Sequence, residues 1–173
     1  MNARMPYRRS MRLSNYDYSS CGFYYVTICA RDRKKYFGDV VGADPRVRPE
    51  LKLNDAGMMV EKTWREIPEY YAGVEIDEYI VMPNHMHGTI NLIGRPQGGA
   101  PTLSLCDVMH RFKSLTTTRY RQGVMNGQWP RFDIRLWQRG YHDHIIRSDQ
   151  DLSRIREYIR ENPMKWQTDE YHM

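Results

Sequence analysis

The stretch from Val74 to Ile93 leaves this chain little choice of fold. Residues 74–81 and 86–93 are both rich in Ile, Val and Tyr, the residues that suit a pleated, half-buried surface. Met82-Pro83-Asn84 separates them, and Pro83 has no backbone N–H to give to a ladder. Side chains alternate along a strand, so His85 and His87 share one face while Met86 takes the other. At a rise of ~3.3 Å per residue their Cα atoms lie roughly 6–7 Å apart, near enough to converge on one ion. A break in a strand is expected to face solvent and substrate. Taken alone, the pair is equally well read as two satisfied surface histidines, and the rest of the chain decides.

The remaining pattern alternates strand and helix. Residues 23–30 are β-branched or aromatic almost throughout and read as a strand. A charged turn at 31–35 leads to a short strand at 36–41, which resumes at 51–53 after a loop stiffened by Pro45 and Pro49. Asn54 or Asp55 caps a helix that Pro68 ends or kinks. Beyond the histidine strands comes a connection at 94–101, then a helix over 104–121 with Leu105, Val108, Met109, Phe112, Leu115 and Thr116 as its apolar stripe. Residues 123–130 read as a loop and 134–146 as a strand. The last helix, 151–161, is capped by Ser148 or Asp149 and stopped by Pro163. This order fits an α+β sandwich of the ferredoxin-like kind, an antiparallel sheet with helices packed mainly on one face, plus a C-terminal helix. Residues 1–173 read as one domain, with 1–20 a basic arm.

Composition narrows the class. With 173 residues the chain can bury a proper core, and no apolar run approaches the ~20 residues of a membrane span. The first nine residues lack the apolar centre of a secretory signal. Cys21, Cys29 and Cys106 have no metal-site spacing and read as reduced thiols of a cytoplasmic protein. The formal net charge of +5 is unevenly spread. Residues 1–12 hold Arg4, Arg8, Arg9 and Arg12 without an acid, and 108–132 hold Arg111, Lys113, Arg119, Arg121 and Arg131, again without one. Such blocks, interleaved with Tyr7, Tyr16, Tyr18, Tyr120 and Trp129, suit a phosphate backbone with bases stacked beside it. Solvated surface charge is the plainer alternative.

Tyr158 and Asn162 are four apart on the last helix and share a face with Arg154. Alone, Tyr158 reads as a core tyrosine beside Ile155 and Ile159. Joined to the histidine pair, the set becomes two imidazoles and an amide oxygen for a divalent ion, with a phenol as nucleophile. An ion in that place draws charge from a phosphate oxygen. A tyrosine that attacks phosphorus stores the bond as a phosphotyrosine and divides one difficult step into two.

These residues carry a resemblance. Met82-Pro83-Asn84-His85-Met86-His87 and Tyr158-Ile159-Arg160-Glu161-Asn162-Pro163 resemble the HUH single-tyrosine transposases, most closely their REP-associated branch. Tyr25-Val26-Thr27, Phe112-Lys113-Ser114, Trp137-Gln138-Arg139-Gly140-Tyr141 and His144-Ile145-Ile146-Arg147 extend the similarity over about 23–166. The resemblance implies a metal-dependent single-stranded DNA endonuclease and strand transferase acting on hairpins of palindromic repeats, as a monomer or homodimer. It implies His85 and His87 as metal ligands, Tyr158 as the nucleophile and Asn162 as a third ligand. It implies Mg²⁺ or Mn²⁺, of which two imidazoles suit Mn²⁺ better. The expected DNA contacts are Arg4, Arg8, Arg9, Arg12, Arg111, Lys113, Arg119, Arg147 and Arg154.

Several features of the chain also fit other readings. His142 and His144 form a second alternating pair, but no Tyr–Asn helix pair attends them, and Trp137 and Tyr141 beside them point to packing. His110 reads as structural or as a phosphate contact. His87-Gly88-Thr89 fits one motif of the two-histidine RNA phosphoesterases, whose second motif the chain lacks. A hairpin-binding protein of the same fold that has lost cleavage is the non-enzyme alternative, and four filled catalytic positions argue against it.

Overall fold

The computed structural model describes Leu13 and residues 16–42, 49–93 and 103–168. The arm arginines Arg4, Arg8, Arg9 and Arg12 and most of the 42–49 and 94–101 loops lie outside these residues. In chain order the elements are β1 (Gly22–Cys29), β2 (Gly38–Val41), β3 (Glu50–Leu53), α1 (Asp55–Arg65), α2 (Ile67–Tyr70), β4 (Val74–Val81), β5 (His85–Leu92), α3 (Leu105–Met125), β6 (His142–Ile146) and α4 (Asp149–Glu161). Four strands pair antiparallel in the order β4-β5-β1-β6, the expected ferredoxin-like sheet. β2 and β3 form a separate antiparallel ribbon rather than one interrupted strand.

The period of two along β1 and β5 creates two different faces. Tyr24, Val26 and Ile28, with Met86, Ile90 and Leu92, bury against Val60 and Trp64 of α1 and Val108, Met109 and Phe112 of α3. Each such large side chain contributes about 1.5–3 kcal/mol on burial, so this layer carries most of the fold's stability. Phe23 and Tyr25 face the other way, where α4 sets Leu152, Ile155 and Ile159 against Tyr25 and Ile146. The sheet is thus sandwiched, with α1 and α3 on one side and the tyrosine helix alone on the other.

Gly88 shows how tightly the first face is packed. A Cβ built there would stand 2.4 Å from the Trp64 ring, whose residue is fully buried and leaves no space to retreat. Gly88→Ala is therefore expected to lower stability by about 1–3 kcal/mol, the usual cost of overpacking. A denaturant midpoint equal to wild type would contradict this packing.

Three boundaries differ from the sequence reading, each for a physical reason. Helix α3 continues through Gly123 to Met125, because the missing Cβ at Gly123 admits the Trp129 ring, whose atoms would lie 2.3 Å from one. Residues 134–141 are not strand: Trp137 forms only an isolated bridge with Ala30, and β6 begins at His142. The carbonyls of Gln138, Arg139 and Gly140 are instead taken by the Lys113 ammonium. Finally, α4 begins at Asp149 rather than Asp151, directly after its cap Ser148, while its end at Glu161 is as expected. Pro163 follows that end. It sits at the start of a tighter 3-10 segment, Asn162–Thr168, where a missing N–H costs little. Among the described residues, no helix is long and apolar enough to cross a membrane.

Candidate active site

The two histidines begin β5, directly after the tight turn from β4. Met82 N donates to His85 O at 2.8 Å and closes that turn. The turn is not open to solvent, contrary to the expectation for a broken strand. Met82, Pro83 and Asn84 are buried because the 30–37 segment covers them, Ala30 N donating to Asn84 O (2.8 Å) and Phe37 N to Pro83 O (3.0 Å). Proline's missing donor is harmless here, since the turn is used through its carbonyls.

His85 and His87 project to the α4 face, and their Nε2 atoms stand 3.0 Å apart. Asn84 fixes the first ring. Its Nδ2 donates to Arg33 O at 3.0 Å, so its Oδ1 must accept from His85 Nδ1–H at 2.8 Å, leaving His85 Nε2 as a bare lone pair. The second ring meets two hydroxyls, with Tyr25 Oη 2.6 Å and Thr27 Oγ1 2.8 Å from His87 Nδ1. They support either tautomer. Tyr25 can donate to a bare Nδ1, or Thr27 can accept from Nδ1–H while donating to Tyr25 Oη at 3.1 Å, which frees the Nε2 lone pair. Burial pushes His85 down to about 3 and His87 well below its ordinary value, so both rings are neutral and available as ligands at neutral pH.

The C-terminal elements close the site. α4 is started by Ser148, which accepts from Asp151 N, and its apolar face seats the Tyr158 ring 5.4 Å from His87 and 6.2 Å from Tyr25. Asn162 follows one turn later and is 1 % exposed. Its carboxamide reaches the His85 ring, yet its Oδ1 is buried with no hydrogen bond. Beyond it, Trp166 stacks on His85 with centroids 6.0 Å apart. The helix is clamped to the sheet at a bulge in β4, where the pairing slips between Ile76 and Tyr79 and leaves Asp77 and Glu78 turned to α4. Arg156 forms a two-pronged bond to Asp77 (2.8 and 2.9 Å), and Arg160 grips Glu78 (2.9 and 2.6 Å). Burial, the largest single influence, would raise the Asp77 carboxyl, but the Arg156 bond, the Glu78 backbone N–H and the charges of Arg156 and Arg160 together hold the group below its ordinary value. These pairs are partly exposed, so they orient the helix more than they stabilise it.

The predicted site residues therefore divide. His85, His87, Tyr158 and Asn162 come together from one chain. The orphaned Asn162 oxygen, set with two neutral imidazoles, fits a divalent cation of borderline character. Among the described residues there is no cluster of three His, Cys, Asp or Glu, because the third donor here is an amide. Sequence reasoning missed Tyr25, Thr27, Asn84 and Trp166, although Thr27 and Tyr25 stand at alternate positions on a strand and so share a face.

The candidate DNA contacts on α3 need correcting in part. α3 packs on the opposite side of the sheet from the histidines. Arg119 bonds Glu66 (2.6 Å) and Thr63 (2.8 Å) through one guanidinium nitrogen, and Lys113 bonds the three loop carbonyls, so both cations already have partners within the fold. Arg111 is exposed and lies over the Tyr71 ring at 5.0 Å. Arg147 and Arg154, at the two ends of the first turns of α4, are exposed. His144 bonds Asp151 at 2.9 Å and both His142 and His144 are exposed, far from a paired-ligand arrangement.

A histidine pair on a ferredoxin-like strand, with a tyrosine and an asparagine one helical turn apart beside it, is the set that the sequence resemblance to single-tyrosine transposases implies. The chain belongs to the family described as Transposase IS200 like, which it matches over residues 22–162. It is 36% identical over 184 aligned positions to an uncharacterised protein of Haemophilus influenzae, covering 99% of this chain and 97% of the relative. A second Haemophilus influenzae protein, provisionally named a REP-associated tyrosine transposase, is 26% identical over 155 positions, 88% of this chain and 77% of its own. Among solved structures, a REP-associated tyrosine transposase bound to a REP hairpin superposes with a TM-score of 0.55 at 21% identity, over 88% of this chain and 74% of that one. A provisionally assigned transposase of Deinococcus radiodurans gives 0.51 at 15% identity, over 87% and 95%. The two structures share the fold.

Proposed function

We propose that this protein is a metal-dependent endonuclease and strand transferase for single-stranded DNA, recognising hairpins of palindromic repeats and cleaving through a phosphotyrosine on Tyr158. The observation that carries the reading is the buried Asn162 oxygen without a hydrogen bond, on a carboxamide that reaches the His85 ring, in a site where His87 and the Tyr158 ring stand alongside. A hairpin-binding protein that had lost cleavage has no use for that costly arrangement.

His85, His87 and Asn162 would hold Mg²⁺ or Mn²⁺, which when bound would polarise a non-bridging phosphate oxygen. Asn84 orients His85 and fixes its tautomer, and the Tyr25 and Thr27 hydroxyls orient His87. Tyr158 gives its phenolic proton to water, and its oxygen attacks phosphorus. One ester oxygen leaves with a proton from water as a free hydroxyl, and the strand stays joined to the protein. Attack by a second hydroxyl reverses these steps, joining the strands and restoring the phenol. All four residues lie in one chain, so a monomer holds a complete set.

The test is a labelled single-stranded DNA hairpin with an unpaired flank, taken from any palindromic repeat found beside the gene and incubated with untagged protein and Mn²⁺. The expected result is a covalent protein–DNA species on a denaturing gel that EDTA prevents. Cleavage undiminished in EDTA would sink the metal assignment, and tight hairpin binding with no adduct under any divalent ion would favour the binding protein.

A further inference from the structure

Much of the positive charge near the site lies in neither of the blocks that stand out in the sequence. Residues 31–35 and 133–139 carry six cations and two carboxylates, and the carboxylates are already paired: Asp32 with Arg31 (3.2 Å) and Asp133 with Lys34 (3.1 Å). The two segments are joined at the end of β1. Arg31 N donates to Leu136 O (2.8 Å), and Gln138 N donates to Cys29 O (2.9 Å), the residue that lies opposite His85 in the sheet.

Each segment is held in an unusual shape. Asp32 and Arg33 both have left-handed backbones (φ 54° and 52°), uncommon for residues with a side chain. Asn84 holds that turn by donating to Arg33 O, and the same Asn84 orients His85. Such strain tends to persist where a site uses it. The second segment turns its carbonyls inward to the Lys113 ammonium, which burial pushes down to about 8, and leaves Arg135 and Arg139 exposed. The lysine thus shapes the loop that carries these two arginines. Lys35 stands 5.7 Å over Trp166, the ring stacked on His85.

We propose that Arg33, Lys35, Arg135 and Arg139 form one cationic rim at the His85 end of the site, and that this rim binds the unpaired strand beside the hairpin. The proposal rests on the DNA-cleaving reading above. The choice of single strand over duplex comes from Ile134, 64% exposed among these arginines. A duplex offers the rim only phosphates, whereas a single strand also offers unstacked bases for an apolar side chain and flat guanidinium groups.

The experiment compares wild type with Arg33→Gln and with the triple variant Lys35→Gln, Arg135→Gln, Arg139→Gln. The probes are an oligothymidylate of about 20 nucleotides and a blunt hairpin with no unpaired flank, each titrated over a range of salt. The triple variant is expected to bind oligothymidylate at least tenfold more weakly, with a log–log salt slope shallower by ~2, at about 0.7 per lost contact. Blunt-hairpin affinity, Mn²⁺ affinity and melting temperature should stay at wild-type values, and Arg135→Lys with Arg139→Lys should restore the slope. Unchanged oligothymidylate binding, with the Tyr158 adduct still formed on a cleavable hairpin, overturns the rim alone. Equal losses on both probes also overturn it, by making the surface a duplex contact. A wild-type protein that binds neither probe overturns the rim together with the function it rests on.

Discussion

Tyr158→Phe is expected to abolish the covalent protein–DNA adduct and lower cleavage by roughly three orders of magnitude or more, while the fold and hairpin binding survive. The ring is what packs: it meets His87 and Tyr25 edge-on and rests in the small cluster beneath α4. Phenylalanine keeps those contacts, so a melting temperature near wild type should accompany the loss of chemistry. Only the hydroxyl goes. An adduct persisting in the variant would move the nucleophile elsewhere, and the structure names the next candidate. Tyr141, the flanking tyrosine of the second histidine pair, bonds Cys106 of α3 and packs with the core on the far side of the sheet. Tyr25 is on the right side, its hydroxyl 2.6 Å from His87. Mapping a residual adduct to Tyr25 would recast the His87 contact as an activating one.

The parts of this site that were legible in the sequence are those governed by local periodicity. A strand's period of two puts His85 and His87 on one face, and a helix's spacing of four puts Tyr158 and Asn162 together, whatever the rest of the chain does. The cap of α1 at Asn54 and the capping box of α3 at Ser104 are equally local. What escaped depends on contacts between residues far apart. Nothing near Pro83 shows that residues 30–37 will cover the turn, and nothing near Lys113 shows that its ammonium will take carbonyls 25 to 27 residues away. The apolar run Ile134, Leu136 and Trp137 reads as strand because composition reports burial, not hydrogen-bond partners. Charge misled in the same way. Lys113 and Arg119 belong to an acid-free block in sequence but meet carbonyl and carboxylate oxygens in space.

Loss of the third ligand is the other large effect expected, and it can be read without DNA. The Asn162 oxygen is buried and makes no hydrogen bond within the chain, so no protein group offsets its desolvation cost. Asn162→Ala should therefore lower the melting temperature of the EDTA-treated protein by less than is usual for a residue 1 % exposed, since the oxygen it removes is unsatisfied and only the carboxamide contact with His85 is lost. His87→Ala should behave differently, because it strands the Tyr25 and Thr27 hydroxyls as well as opening a cavity. With Mn²⁺ at a hundredfold excess over its dissociation constant, wild type should gain about 2.7 kcal/mol. For a domain of this size that is a rise of ~5–10 °C. Asn162→Ala, His85→Ala and His87→Ala should each lose most of that rise and, with it, cleavage of a hairpin. His142→Ala should keep both, since its ring is exposed and outside the set. The protein must be untagged, as a run of histidines would bind the same ion. A full Mn²⁺-dependent rise in Asn162→Ala would remove the amide from the ligand set. An undiminished rise in the variant lacking both His85 and His87 would place the ion elsewhere altogether.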